Sequence, residues 1–268
     1  MINGFDNVIA LEAHIKNGGV ISSPRNVTSR YRADLLRLMA SFVDSEFAAS
    51  AGFASILNEA PGIVQRISVA RIVLEKAESG EAVLNIMADF GIDIQQYGNN
   101  HPDRSNFDWS NRLERDGDMS ALPYNLRDMR LSVFYYPFKN WCDAMMMGVL
   151  MGKAKQIQLQ ELSQISYAPL ADAFRTISTI EQRHTNLARD ELLRFAKGAY
   201  KNGTSDELKS LFHYWLPKVR AIFGSVNSSG FERLKKYGLR YRSNKEMLDE
   251  FNLRAEELRQ SLRIIAGL

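Results

Sequence analysis

The sequence predicts an all-α fold, a bundle of four long antiparallel helices with a helical C-terminal cap. Three observations carry this. Long stretches repeat apolar residues at helical spacing, no stretch alternates apolar and polar residues as a half-buried strand would, and only seven prolines interrupt 268 residues. Hydrophobic residues make up 45% of the chain, enough to fill a real core, and the length suits one helical domain. We expect an N-terminal arm over residues 1–29 and a single domain over 30–268.

The arm holds a short helix around Val8–Ile15 that stops at Gly18-Gly19. Helix one is predicted over Tyr31–Leu57, with Leu35, Leu38, Met39, Phe42, Glu46 and Ala49 on one stripe. Glu46 is thus an acid on an apolar face, either a rim ion pair or a ligand. Helix two opens at Pro61, runs to Phe90 and stops at Gly91. Its predicted buried stripe is Ile63, Ile67, Ala70, Val73 or Leu74, Ala77 and Leu84, with Lys76 and Ser79 near the edge. Glu75, Glu78 and Glu81 read as a solvated acidic face.

Residues 92–127 are polar and rich in turn formers, a long excursion of the kind that often covers a site. His101-Pro102-Asp103 within it reads as a turn. Helix three spans Tyr136–Leu162. Its WCDAMMMGVLMG run places Asp143 among apolar residues, where a carboxylate has to be paired, protonated or bound to a cation. The Met145, Met146, Met147 and Met151 cluster reads as adaptable core. Helix four takes Ser166 as N-cap and Pro169 in its first turn, and ends near Gly198. It carries Glu181-x-x-His184, two potential ligands on one helix face. Helix five covers Asp206–Phe223, and the final helix is capped by Ser243 or Asn244.

The bulk numbers exclude several classes. A net charge of +3 is too small to argue for nucleic acid or a membrane surface. No run of apolar residues reaches the length of a bilayer span. Cys142 is the sole cysteine, so no intramolecular disulfide forms, and together with the lack of a basic-then-apolar leader this gives a cytoplasmic expectation.

Three segments carry a resemblance: RYRADLLRLMASFVDSEF with Ala60-Pro61; YPFKNWCDAMMMGVLMGKA through SYAPLADAFRTISTIEQRH; and YWLPKVRAIFG with LKKYGLRYRSNKEML. With these, the chain resembles the phenylacetic acid catabolic group of ferritin-like di-iron proteins, and within it the catalytic alpha subunit of ring-1,2-phenylacetyl-CoA epoxidase, over about Arg30 to Arg263. The resemblance implies a ferritin-like bundle. It also implies a di-iron centre that activates dioxygen and inserts one oxygen atom into the aromatic ring of a coenzyme A thioester, with electrons from a separate reductase. A non-catalytic sister subunit of the same fold is implied as partner, so a homodimer or heterodimer is expected. By position, the resemblance makes Glu46, Asp143, Glu181 and His184 metal ligands.

Helix two departs from the family. Lys76 stands where the resemblance requires a bridging glutamate, and Ser79 where it requires the second histidine. A charged lysine is no ligand and a hydroxyl is a poor substitute for imidazole. A one-residue slide, a rotation of about 100°, would present Glu75 and Glu78 instead. Glu46, Asp143, Glu181 and Lys76 together leave a charge of −2, which one divalent cation would neutralise, as would two added protons with no metal.

The cofactor expectation is therefore none or one divalent metal, Fe or Mn, rather than two irons. Three readings follow. The first is a family member with a degenerate centre, with Lys76 as an internal counter-ion, acting as a structural or acyl-CoA-binding protein. The second is an oxygenase with one metal on Asp143, Glu181 and His184. The third is a di-iron epoxidase with shifted ligands. Lys235, Lys236, Arg240, Arg242 and Lys245 form a basic run that would suit the phosphates of a coenzyme A ligand, or is a solvated face.

Overall fold

A computed structural model describes residues 8–97, 109–121, 128–202 and 205–266. The expected turn at 101–103 lies outside them. The chain forms α1 (Val8–Lys16), α2 (Ser29–Ser55), α3 (Ile63–Asp89), α4 (Ile94–Tyr97), α5 (Trp141–Leu162), α6 (Ala168–Asn202), α7 (Ser205–Arg220), α8 (Phe231–Lys236) and α9 (Asn244–Ala266). No strand occurs among the described residues; a single isolated bridge joins Ile21 to Tyr167.

The bundle is two helical hairpins. α2 packs along α3, and α5 along α6, with α3 also against α6. Short connections make each pair antiparallel, and one long crossover between α3 and α5 joins the pairs, the ferritin-like arrangement. α7 and α9 close the far side against α5 and α6. Within α2 the expected stripe is in place. Leu35, Met39, Glu46 and Ala49 are buried, and Thr28 caps the helix by accepting from the Tyr31 N–H.

α3 corrects the sequence expectation. Ile63, Ile67 and Leu74 are 79%, 56% and 57% exposed, and Ala70 is exposed too. Leu84 is buried as expected, but the rest of the buried face runs through Val69, Ile72, Lys76, Ser79, Val83 and Met87. Both faces of the first half of α3 are apolar. Periodicity identifies which residues share a face but not which face meets the bundle.

The other helices start later or run further than predicted. α5 begins at Trp141, so Pro137 precedes it and Asp143 falls in its first turn. α6 continues past Gly198 to Asn202. Ser166 does not serve as its N-cap. The Ser166 hydroxyl bonds Tyr31 Oη (2.8 Å) and donates to the Tyr237 carbonyl (2.6 Å), tying α2 and the α8 turn to the start of α6. Ser243 and Glu246 form a reciprocal capping box on α9.

The N-terminal arm packs on the bundle, with Leu11 fully buried. Its helix α1 stops at Gly18, whose φ of +79° favours glycine.

The return of the crossover is pinned to α2. The Met129 N–H donates to Asp44 Oδ2 (2.8 Å), the Leu131 N–H to Ser45 Oγ (3.0 Å) and Arg112 to the Ala48 carbonyl (2.7 Å). No helix among the described residues is long and apolar enough to cross a membrane.

α5 and α6 pack tightly at Gly152. A β-carbon there would lie 2.9 Å from Thr185 Cβ and closer still to its hydroxyl. Thr185 is itself fixed by donating to the Glu181 carbonyl (2.7 Å). Gly152→Ala is expected to force the two helices apart and cost about 1–3 kcal/mol, read as a lower urea midpoint; an unchanged midpoint would show that the interface yields.

A buried carboxylate–lysine cluster at the candidate metal centre

Four helices each bring an ionisable side chain to the middle of the bundle. α2 supplies Glu46, α3 Lys76, α5 Lys155, and α6 both Glu181 and His184. All five are buried, from 1% exposure for Glu46 to 7% for Lys76. Glu181 Oε1 accepts from Lys76 Nζ at 2.9 Å and from Lys155 Nζ at 2.7 Å. Lys155 also bonds Glu46 Oε1, and Lys76 sits 3.7 Å from Glu46 Oε2. Two carboxylates therefore face two ammonium groups, and their charges balance. Only about 20 Å³ of space remains beside Lys76, Lys155, Glu181 and His184.

Burial would raise the pKa of Glu181, but Lys155, Lys76 and then His184 outweigh it and hold the carboxyl well below its ordinary value. Burial likewise opposes the charge on Lys76, yet Glu181 and Glu46 hold that ammonium above the usual lysine range. Glu181 and Lys76 thus offset the cost of each other's burial.

His184 faces outward from this cluster. Its Nε2 lies 2.7 Å from Glu75 Oε2, while Nδ1 has no hydrogen-bond partner and is 3.7 Å from Glu181 Oε1. Arg183 holds the other oxygen of Glu75 at 2.6 Å. Burial opposes ionisation of Glu75, but Arg183 and His184 lower its pKa overall. Glu75 is thus part of the site's edge and not simply solvated, whereas Glu78 and Glu81 are exposed as expected. Ser79 is buried and donates to the Glu75 carbonyl (2.8 Å), a bond within its own helix.

Asp143 is not in this cluster, contrary to its expected role as ligand. It lies twelve residues before Lys155 on α5, about 18 Å along the helix axis. There its carboxylate accepts two bonds from Arg115 (2.5 and 2.9 Å), one from Trp215 Nε1 (2.5 Å) and one from the Lys139 N–H (2.7 Å). Asn140 caps the same turn by accepting from the Asp143 N–H. The carboxylate is paired, but by an arginine and a helix N-terminus. The sequence placed it among apolar residues and required a partner, which Arg115 supplies.

Lys155 is the residue that sequence reasoning missed. The available signal was its position four residues after Met151 in an apolar run, where a buried ammonium needs acids as much as Asp143 needed a cation. Among the described residues no group of three or more His, Cys, Asp or Glu could together hold a metal ion.

Beside the cluster lies a cavity of about 430 Å³. Its α2 wall is the i, i+3, i+4 stripe from Asp34 and Arg37 at the exposed end to Ser45 and Glu46 at the buried end. Met151, Lys155, Gln158 and Leu162 of α5 form the facing wall, and Arg233 and Arg240 flank the opening. Of the basic run expected to meet phosphates, only Arg240 lines this cavity. Arg242 is paired with Glu250 (2.6 Å), Lys245 with Asp249 (2.6 Å), Lys236 is exposed, and Lys235 lies near the Phe231 ring. Buried Glu161 accepts the N–H groups of Tyr241 and Arg242, which holds this segment on α5.

The architecture and these segments agree with one family, whose model matches residues 16–264. The chain is a phenylacetic acid catabolic protein by family. No curated protein matches it. Within this phenylacetic acid catabolic fold, the centre of the bundle is an ion-pair cluster whose acid sensitivity can be measured. Glu181 has a depressed pKa, so its stabilisation is complete above its unfolded value of about 4.5 and is lost as pH falls toward the folded value. Denaturant unfolding is expected to show stability declining below that pH, with a shallower decline in Glu181→Gln. Equal slopes would contradict the assignment.

Proposed function

We propose that this phenylacetic acid catabolic protein is an epoxidase-like member with a degenerate metal centre. It acts as a non-catalytic structural subunit that binds an acyl-CoA-like ligand. The observation that carries the reading is Lys155 joined to Lys76 between Glu46 and Glu181. A di-iron centre needs carboxylate oxygens and imidazole nitrogens free to coordinate. Here the bridging oxygen of Glu181 is shared by two ammonium groups, and Glu46 Oε1 is taken by a third contact. The residues present do not fit two irons. The −2 charge that called for a divalent cation disappears once Asp143 leaves the count and Lys155 enters it.

The one-metal oxygenase reading loses its Asp143 ligand by the same observation. The shifted di-iron reading gains Glu75 beside His184 but not Glu78, which points to solvent.

Elemental analysis of protein purified without chelators, and again after adding ferrous iron or manganese, is expected to find no stoichiometric metal. Two equivalents per chain would restore the di-iron epoxidase; one, lost in His184→Ala, would establish a mononuclear site. In parallel, Lys155→Met and Lys76→Met are each expected to cost about 3–5 kcal/mol, because each leaves buried carboxylates short of a cation. Full stability in both variants would remove the lysines from the role given to them.

The partner in this reading is a ferritin-like sister chain or a second copy, docked on α3. The support is the apolar stripe of Ile63, Ile67 and Leu74, which the single chain leaves exposed. Ile67→Glu is expected to weaken the assembly seen by sedimentation without lowering monomer stability. An assembly indifferent to that change would place the interface elsewhere.

A further inference from the structure

The outer face of α3 carries a pattern of charge as well as its apolar stripe. Ile63, Ile67, Ala70, Leu74 and Ala77 recur at intervals of four, three, four and three residues, the seam spacing of two helices packed side by side. The seam faces away from the bundle. Ile63, Ile67 and Leu74 are more than half exposed, and Ala70 is exposed as well.

Charge is divided along this seam. Arg66 and Arg71 flank its N-terminal half, Glu78 and Glu81 its C-terminal half, and all four are exposed. Arg71, Glu78 and Glu81 have no ion-pair partner among the described residues, and Arg66 reaches the Asn58 carbonyl at 3.4 Å. Glu75, one turn after Arg71, is committed to Arg183 and His184 of α6.

The division has a centre. Arg71 and Glu78 lie three residues before and four after Leu74, on one edge of the seam. Arg66 and Glu81 lie eight before and seven after it, toward the other edge. A two-fold axis at Leu74 therefore sets each Arg71 beside the partner's Glu78, and each Arg66 beside the partner's Glu81. Leu74 then meets its own copy, and Ala70 faces the partner's Ala77, both small enough for close approach. A parallel pair would set arginine on arginine and glutamate on glutamate. A surface that complements itself only when reversed suits an isologous contact.

We propose that α3 packs antiparallel on α3 of a second copy of this chain, across a two-fold axis at Leu74, with Arg66, Arg71, Glu78 and Glu81 fixing the direction. This rests on the docking surface proposed above and names its occupant. One helix face from each copy makes a small interface, so the association is expected in the micromolar range.

The test is sedimentation equilibrium of the full chain across that range, with two charge-reversed forms. Arg66→Glu with Arg71→Glu leaves only acids flanking the seam, and Glu78→Arg with Glu81→Arg leaves only bases. Each form is expected to self-associate about tenfold more weakly or worse. Their urea midpoints are expected to match the parent, because all four positions are exposed. An equimolar mixture of the two forms is expected to recover the parent affinity, since every pair is then restored. A parent chain that stays monomeric would overturn the second copy as occupant and leave the surface to a sister chain. Self-association weakened by Ile67→Glu but not by the charge reversals, or a mixture that does not recover, would keep the surface and overturn the antiparallel register. Self-association that none of these changes weakens would overturn both the inference and the docking surface.

Discussion

The structure depends on a balance of four buried charges. Glu46 and Glu181 sit where water cannot reach them, and each is tolerable only because Lys76 and Lys155 are equally buried and within reach. Each comes from a different helix of the bundle, so the balance exists only when all four helices are in register. A slip of one helix by one residue would turn its ion away by about 100° and strand the others. The cluster therefore acts on specificity as well as stability. It penalises misregistered packings that an apolar core of methionines and leucines would accept.

The same arrangement sets the chemistry of the site. Carboxylates committed to ammonium groups are poor metal ligands, and an ammonium held above its usual pKa by Glu181 and Glu46 is no nucleophile. What the centre retains is polarity: a strong acceptor, fixed cations, and an adjoining cavity with an apolar middle. Lys155 links the two parts, bonding both glutamates and lining the cavity wall. The cluster's outer edge, His184 with Glu75 and Arg183, ties α6 to α3.

Much of the fold was legible because it follows from local rules. The stripe from Leu35 to Ala49, the stop at Gly18 and the cap at Ser243 each involve residues within a few positions of one another. The family followed from segments spread over most of the chain, and the match over residues 16–264 agrees. The α3 stripe was misassigned because that helix is apolar on two sides. Which side faces α2 and α6 depends on those helices, not on α3.

For the site, the sequence by itself determined that Glu46, Asp143, Glu181 and His184 lie on inward faces. A buried charge on an apolar face is visible in one dimension. Its partner is not, because the partner is fixed by three-dimensional distance: Arg115 is 28 residues from Asp143, and Lys155 is 109 residues from Glu46. Only the tertiary structure decided that Asp143 answers to a crossover arginine and a tryptophan, and that a second lysine completes the cluster. The cause is geometric. Twelve residues of α5 separate Asp143 from Lys155, and over that length a helix rises about 18 Å and turns its side chains by about 120°, so the two meet different neighbours.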